Sequence, residues 1–222
     1  MSKRHVFITG GTGYLGRPLI RALLAHGHSV RALVRAGSAS RLPAGAEAVD
    51  GDALGAFETL IPPADTLVHL VGTPHPNPAK AREFREVDLA SIRATVAAAK
   101  SAAVRHLVYV SVAHPAPAMK AFIAVRKEGE ALIAGSGLSA SILRPWYVLG
   151  PGHRWPYALL PLYKIMEALP WTRKSALRLG LVGLHQMVAA LVAAVEHPVD
   201  GVKFVGVPEI RNPGGQIQSG NL

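Results

Sequence analysis

No cysteine occurs among the 222 residues. That removes disulfides, thiolate metal ligands and a cysteine nucleophile from consideration, and it fits a reducing compartment. Aromatic residues are scarce at 6% and charged residues reach only 17%, against 50% hydrophobic, so the chain is expected to bury a core rather than stay disordered. No uninterrupted apolar run is long enough to span a bilayer. Met1-Ser2-Lys3-Arg4-His5 leads straight into an apolar strand, where no signal peptide fits, and the expected location is cytoplasmic. Acidic residues are also few. Fourteen Asp and Glu against 24 Lys and Arg leave a formal net charge of +10. That excess reads either as a solvated basic surface with arginines for phosphates or as the mark of an anionic partner. The cations are scattered, without a basic block or interleaved aromatics, so nucleic acid is not expected. A peripheral membrane contact stays open. The ten histidines form no His-x-x-x-His pair on a helix and join no carboxylate cluster, so no metal site is expected.

What the chain does contain is an alternation of strand and helix patterns. Val6–Thr9 is a β-branched apolar run, and a helix follows from about Tyr14 to His26. Strands are expected at 29–34, 47–50, 66–71, 106–112 and 139–143. Helical stretches are expected near 54–60, 79–101 and 118–135. This alternation predicts an α/β fold, a Rossmann-type doubly wound parallel sheet with helices on both faces. After Arg144 the texture changes. Pro145, Pro151, Pro156, Pro161 and Pro170, with Gly150 and Gly152, break the pattern, and Trp146, Trp155 and Trp171 all lie here. A final helix near 184–196 and a short strand at 202–205 precede a polar tail at 212–222, expected to be loose. The reading is one domain over 1–222. Residues 145–183 and the C-terminal segment form a small cap, the substrate lobe. The lobe is dense in apolar side chains, among them Tyr157, Leu160, Tyr163 and Leu169, flanked by Lys164, Arg173 and Lys174. It reads as a helix over the substrate cleft, as an apolar pocket, or as a basic-rimmed face for a membrane.

Between the first strand and its helix stands Gly10-Gly11-Thr12-Gly13-Tyr14-Leu15-Gly16. Glycines at 10, 13 and 16 differ from the G-x-G-x-x-G spacing, but the strand before and the helix after are where a phosphate cradle needs them. A bound dinucleotide is the expectation, with Gly10, Thr12, Gly13, Tyr14 and Leu15 as contacts. Arg35 follows the second strand, where an acid would serve NAD and a base suits the 2′-phosphate of NADP; Thr12 offers a second contact to that phosphate. Asp52 is placed either to accept from the adenine amine or to cap the next turn. Val71 and Gly72 end the fourth strand, where the chain passes close to the cofactor.

The ordered set Gly-Gly-Thr-Gly-Tyr-Leu-Gly, Val-Arg-Ala-Leu-Val-Arg, Gly-Asp, Val-Tyr-Val-Ser, Lys-Glu-Gly-Glu and Leu-Arg-Pro-Trp-Tyr-Val-Leu-Gly resembles the short-chain dehydrogenase/reductase superfamily. Within it the chain is similar to the atypical and extended branches, the NAD-dependent epimerase/dehydratase-like and NAD(P)H-binding proteins. The resemblance covers residues 5 to about 150 and adds Pro145 to the cofactor contacts. It implies chemistry by Ser, Tyr and Lys, in which a lysine lowers a tyrosine's pKa and holds the nicotinamide ribose. Ser111 matches the serine and Lys127 the lysine. The tyrosine's place, four residues earlier, is Ile123, and no other tyrosine stands four residues before a lysine. Two functions stay open. One is an NADP(H)-dependent oxidoreductase or epimerase, with NAD(H) as the alternative cofactor, acting on an apolar or carbonyl-bearing small molecule. Its proton would come from His114, Tyr147 or His153, or the reaction needs no acid from the protein. The other is a non-catalytic nucleotide-binding sensor or scaffold.

Overall fold

The computed structural model describes residues 2–151 and 177–213. Nine strands lie among them: β1 His5–Thr9, β2 Ser29–Val34, β3 Glu47–Asp50, β4 Thr66–His69, β5 His106–Val110, β6 Ser139–Leu143, β7 Tyr147–Leu149, β8 Leu181–Gly183 and β9 Val202–Val205. The first six and β9 form one parallel sheet in the order β3-β2-β1-β4-β5-β6-β9, and β7 pairs with β8 in a separate two-stranded ribbon. The order reverses between β1 and β4. In doubly wound sheets that is the switch point, where a crevice opens beyond the carboxyl ends of the strands.

The central strands are apolar on both faces because helices cover both. Val6, Ile8, Val68 and Val108 pack with Leu19, Ile20 and Leu23 of α1 (Gly16–Ala25) and with Met187, Leu191 and Val195 of α5 (Leu184–Glu196). Phe7, Leu67, Leu107 and Ile142 point the other way, against Phe84, against Ile92 of α3 (Ala90–Ser101) and against Val125 and Ile133 of α4 (Lys120–Ala134). Period-two alternation along each strand divides the core in this way.

The expected elements are present with shifted ends. β4 stops at His69 and β5 at Val110, so Val71, Gly72 and Ser111 sit on loops beyond them. The helix expected over 79–101 is interrupted: a short α2 (Ala81–Glu83) leads into a π-helical turn, Phe84–Leu89, before α3. The stretch 54–60 contains only the 3₁₀ turn Glu58–Leu60. β7, β8 and the short α6 (Val207–Arg211) were not foreseen, because three-residue strands and a five-residue helix carry no periodicity to read. Most of the expected lobe, with His153, Trp155 and Trp171, and the tail from 214 lie outside the described residues.

Two histidines are locked inside the sheet. His69 Nδ1 lies 2.8 Å from Thr9 Oγ1 and 2.9 Å from Thr95 Oγ1, and its Nε2 lies 3.3 Å from Ser91 Oγ. Burial, with the charge of Arg126, lowers its pKa to about 3. His106 Nε2 lies 3.1 Å from Ser141 Oγ, and burial, helped by the charge of Arg4, lowers its pKa to about 4. Both rings are therefore neutral in the folded chain at neutral pH, while the unfolded chain takes up protons near 6.5. Stability is full above that pH. As the pH falls, each ring withdraws about 1.4 kcal/mol per pH unit until its folded pKa is reached. Urea midpoints measured between pH 7.5 and 4.5 should fall steeply below about 6.5. A midpoint flat across that range would contradict the burial of neutral rings.

Candidate functional site

At the switch point the chain leaves β1 through Gly10 and enters α1 at Gly16. Gly10 has φ +78°, and a Cβ there would lie 2.8 Å from the Leu70 carbonyl carbon and 3.0 Å from Val71 N. Gly13 N–H donates to Gly10 O at 3.0 Å, and a Cβ on Gly16 would lie 2.6 Å from Gly11 O. The turn thus rests backbone on backbone against the end of β4. α1 has neither a side-chain cap nor an acidic residue in its first turn, so its N-terminal dipole is left for an external anion. Such a cradle fits the pyrophosphate of a dinucleotide.

The other cofactor candidates surround this turn. Thr12 and Leu15 are half-buried. The Tyr14 hydroxyl packs over Gly150, where a Cβ would collide with it. Arg35 is exposed, and its carbonyl accepts from Ser38 N at 3.0 Å, closing a turn after β2. Asp52 Oδ1 accepts from Leu54 N at 3.0 Å, which is the turn-capping role. Val71 and Gly72 are half-buried, and Val71 N lies against Gly10. Pro145 is buried, and its carbonyl accepts from Ala113 N at 2.9 Å, tying the segment after β6 to the one after β5.

Two buried charge clusters occupy the same carboxyl edge. Arg126 on α4 ion-pairs with Asp88 of the π-helical turn. Its Nη1 also donates to Val110 O at 2.8 Å and to Tyr109 Oη at 3.4 Å. Asp88 Oδ2 accepts from Thr73 N at 2.9 Å and Thr73 Oγ1 at 2.6 Å. A Cβ at Gly72 would meet the Arg126 guanidinium, so this pair lies directly under the end of β4. Burial opposes the charge on Arg126, but Tyr109 and Asp88 outweigh it and its pKa is raised. Burial raises the pKa of Tyr109, against the pull of Arg126.

The second cluster centres on Glu130. It accepts from Arg144 Nε at 2.9 Å and Nη2 at 2.6 Å, from Ser111 Oγ at 2.6 Å, and lies 3.2 Å from His114 Nε2. Burial alone would raise its pKa. Hydrogen bonds from Arg144, Ser111 and His114 outweigh burial and lower it, so Glu130 is a carboxylate.

Ser111 belongs to this group and Lys127 does not. Lys127 is exposed and makes no hydrogen bond or ion pair among the described residues, while Ile123 is buried at 9% exposure in the helix's packed stripe. The buried cation of α4 is Arg126, and the residue one turn before it is Phe122, whose ring centroid lies 5.0 Å from the guanidinium carbon. Burial thus separates the two neighbouring cations of α4, with Arg126 packed inside against Phe122 and Lys127 left at the surface. Sequence reasoning missed Asp88, Arg126, Glu130 and Arg144. The helical stripe Ile123, Arg126, Glu130, Ile133 was the available signal, since it carries two charged side chains to the buried side of α4 and leaves Lys127 off it.

A third cluster sits at the other end of the sheet. His26 Nδ1 and His28 Nε2 lie 2.8 and 3.2 Å from Glu196 Oε1, and the three ligand-type atoms fall within 4.8 Å of one another. His28 Nδ1 accepts from Arg4 N–H at 3.2 Å. That bond puts the ring proton on Nε2, where a metal would have to bind, so the group is a hydrogen-bonded pin between α1, β2 and α5.

A family model described as NAD(P)H-binding matches residues 10–155. The chain is 32% identical over 217 residues to a ceramide reductase of Caulobacter vibrioides (strain NA1000 / CB15N), covering 94% of this chain and 66% of that one. It is 31% identical over 171 residues to a 4-hydroxy-2-methyl-3-oxo-4-farnesyl-3,4-dihydroquinoline-1-oxide ketoreductase of Stigmatella aurantiaca, covering 66% and 51%. The chain therefore spans two thirds or less of the length of these two relatives. Among solved structures, an NAD-bound short-chain dehydrogenase/reductase superfamily protein of Agrobacterium tumefaciens shares the fold at a TM-score of 0.66 and 19% identity, covering 91% and 77%. The UDP-glucuronic acid 4-epimerase of Bacillus cereus, with NAD, does so at 0.67 and 18%, with the same coverage. Among the described residues no helix is long and apolar enough to cross a membrane.

Removing one partner of a buried ion pair strands the other charge, so Arg126→Leu should cost about 3–5 kcal/mol of stability. Lys127→Ala should leave the urea midpoint unchanged. Equal effects of the two changes would show that Arg126 is not the buried cation.

Proposed function

We propose that this chain, which belongs to the NAD(P)H-binding family, is a nicotinamide-dependent reductase of an apolar, carbonyl-bearing small molecule. The observation that carries this reading is the flat glycine turn at the switch point, with two polar clusters at the adjacent strand ends. Gly10, Thr12, Gly13, Tyr14 and Leu15 would hold the pyrophosphate. Asp52 would reach the adenine, and Arg35 and Thr12 the 2′-phosphate of NADP. Val71, Gly72 and Pro145 would line the nicotinamide half. When bound, the reduced dinucleotide supplies a hydride to the substrate carbonyl carbon. The protein's part is to orient that carbonyl, exclude water and deliver a proton.

The names of two relatives support the substrate class: one is a reductase named for ceramide, the other a ketoreductase of a farnesyl-bearing ring. The apolar composition of 155–181 suits such a ligand, and a net charge of +10 suits delivery from an anionic membrane surface. Lys127, the match to the family's lysine, would hold the nicotinamide ribose, and Arg126 one position earlier would add a fixed positive charge beneath that side of the cleft. Unlike a lysine it keeps its proton at all working pH values.

A second reading has its own observation. Ile123 stands in the tyrosine's place and carries no hydroxyl, so position 123 supplies no phenol for Lys127 to activate. That favours a protein that binds the dinucleotide as a sensor or scaffold.

Fluorescence titration with NADPH and NADH, followed by a turnover screen with quinones, ketones and aldehydes, separates the two readings. Binding without turnover across the panel would count against the reductase. Gly10→Val should abolish binding of both cofactors, since its side chain would collide with the end of β4. Arg35→Asp should weaken NADPH at least tenfold more than NADH, the worth of about one charge-assisted hydrogen bond. Equal losses would sink the NADP preference.

A further inference from the structure

The Glu130 cluster leaves its two candidate hydrogen-bond donors in different states. The single hydroxyl hydrogen of Ser111 is committed to Glu130 Oε1 at 2.6 Å. Ser111 can therefore accept a hydrogen bond but has none to give to a substrate oxygen. His114 stands 3.2 Å from Glu130 Oε2 through Nε2. A carboxylate only accepts, and Glu130 is held ionised by Arg144, so Nε2 must carry a hydrogen. The ring is thereby oriented with Nδ1 as the nitrogen left to exchange a proton with a ligand. Nδ1 has no partner among the described residues, and the side chain is 15% exposed. The loop that carries it leaves β5 at the carboxyl edge and is fastened by Ala113 N to Pro145 O at 2.9 Å. Arg178 Nε donates to the carbonyl of the next residue, Pro115, at 3.2 Å. The charged groups facing His114 from these elements are thus Glu130, Arg144 and Arg178. A histidine oriented by a carboxylate through one ring nitrogen, with the other unpartnered among the described residues, is a general acid–base arrangement.

We propose that His114, held by Glu130, delivers the proton to the carbonyl oxygen, in place of the missing phenol. This rests on the reductase reading above. The carbonyl carbon gains the hydride with its electron pair, and the C=O π pair moves to oxygen. That oxygen takes the proton from imidazolium Nδ1. The ring is left neutral and recovers a proton from water. Glu130 stays ionised throughout and acts as a positioning residue.

Two experiments test this. In the cofactor-free chain, NMR of ¹⁵N-labelled histidine should show neutral His114 as the Nε2–H tautomer, with Nδ1 gaining the proton as pH falls. A dominant Nδ1–H tautomer would overturn the proposal. The second compares reduction of 2-tridecanone with that of 9,10-phenanthrenequinone, with NADPH and with NADH. A simple ketone passes through a strongly basic alkoxide and needs an acid, whereas a quinone yields a weakly basic phenolate and needs it far less. His114→Gln keeps a donor for Glu130 but no transferable proton. It should lose about 100-fold or more on the ketone and only a few-fold on the quinone, with unchanged cofactor affinity and urea midpoint. The ketone rate of the wild type should fall as pH rises, and that dependence should vanish in the variant. Ketone activity within threefold of wild type, or equal losses on both substrates, would overturn the role of His114 alone. A wild-type chain that binds the dinucleotide but reduces neither probe would overturn the reductase reading and this role with it.

Discussion

Arg126 carries a positive charge to a place that water scarcely reaches, and the local architecture answers that charge. Asp88 comes from a π-helical turn, Tyr109 from a central strand, and the Val110 carbonyl from the strand's last residue. An uncompensated guanidinium at 8% exposure would cost several kcal/mol. These partners thus constrain how α4, the π-helical turn and the β4–β5 strand ends can sit together. Gly72 has no side chain because the guanidinium occupies that space. Thr73 is held to Asp88 through two hydrogen bonds, which fixes the loop just past the switch point.

One helical turn along α4, Glu130 inverts the polarity. A buried carboxylate there draws Arg144 from the end of β6, Ser111 from the end of β5 and His114 from the loop beyond. The two clusters lie on one helix, on the same buried stripe, and each ties strand ends to it. Their consequence for chemistry is a division of labour. The Arg126 cluster offers a fixed positive charge, whereas the Glu130 cluster presents an imidazole oriented through one ring nitrogen. With isoleucine in the tyrosine's place at position 123, the proposed proton donor comes from the second cluster instead.

The glycine turn is independent of both clusters. It depends on backbone meeting backbone at Gly10, Leu70 and Val71, and on an α1 that begins without a cap. The proposed cofactor cradle and the proposed proton donor therefore rest on separate pieces of structure. The family match over residues 10–155 accordingly assigns the cofactor class and not the substrate.

The amino-acid order alone determined the strand–helix alternation, the parallel sheet and the glycine turn, because periodicity of apolar residues and the spacing of Gly10, Gly13 and Gly16 are local quantities. It also placed Ser111 at a strand end and noticed that no tyrosine precedes a lysine by one turn. Tertiary structure alone decided which cation of Arg126 and Lys127 is buried, since adjacent residues on a helix point about 100° apart and only packing says which side is inside. It decided that Asp88, 38 positions from Arg126, is the partner of that charge. And it decided that the proton of Ser111 is already spent on Glu130, because a hydroxyl's direction is set by the acceptor that folding brings to it and by nothing in its own neighbourhood of sequence.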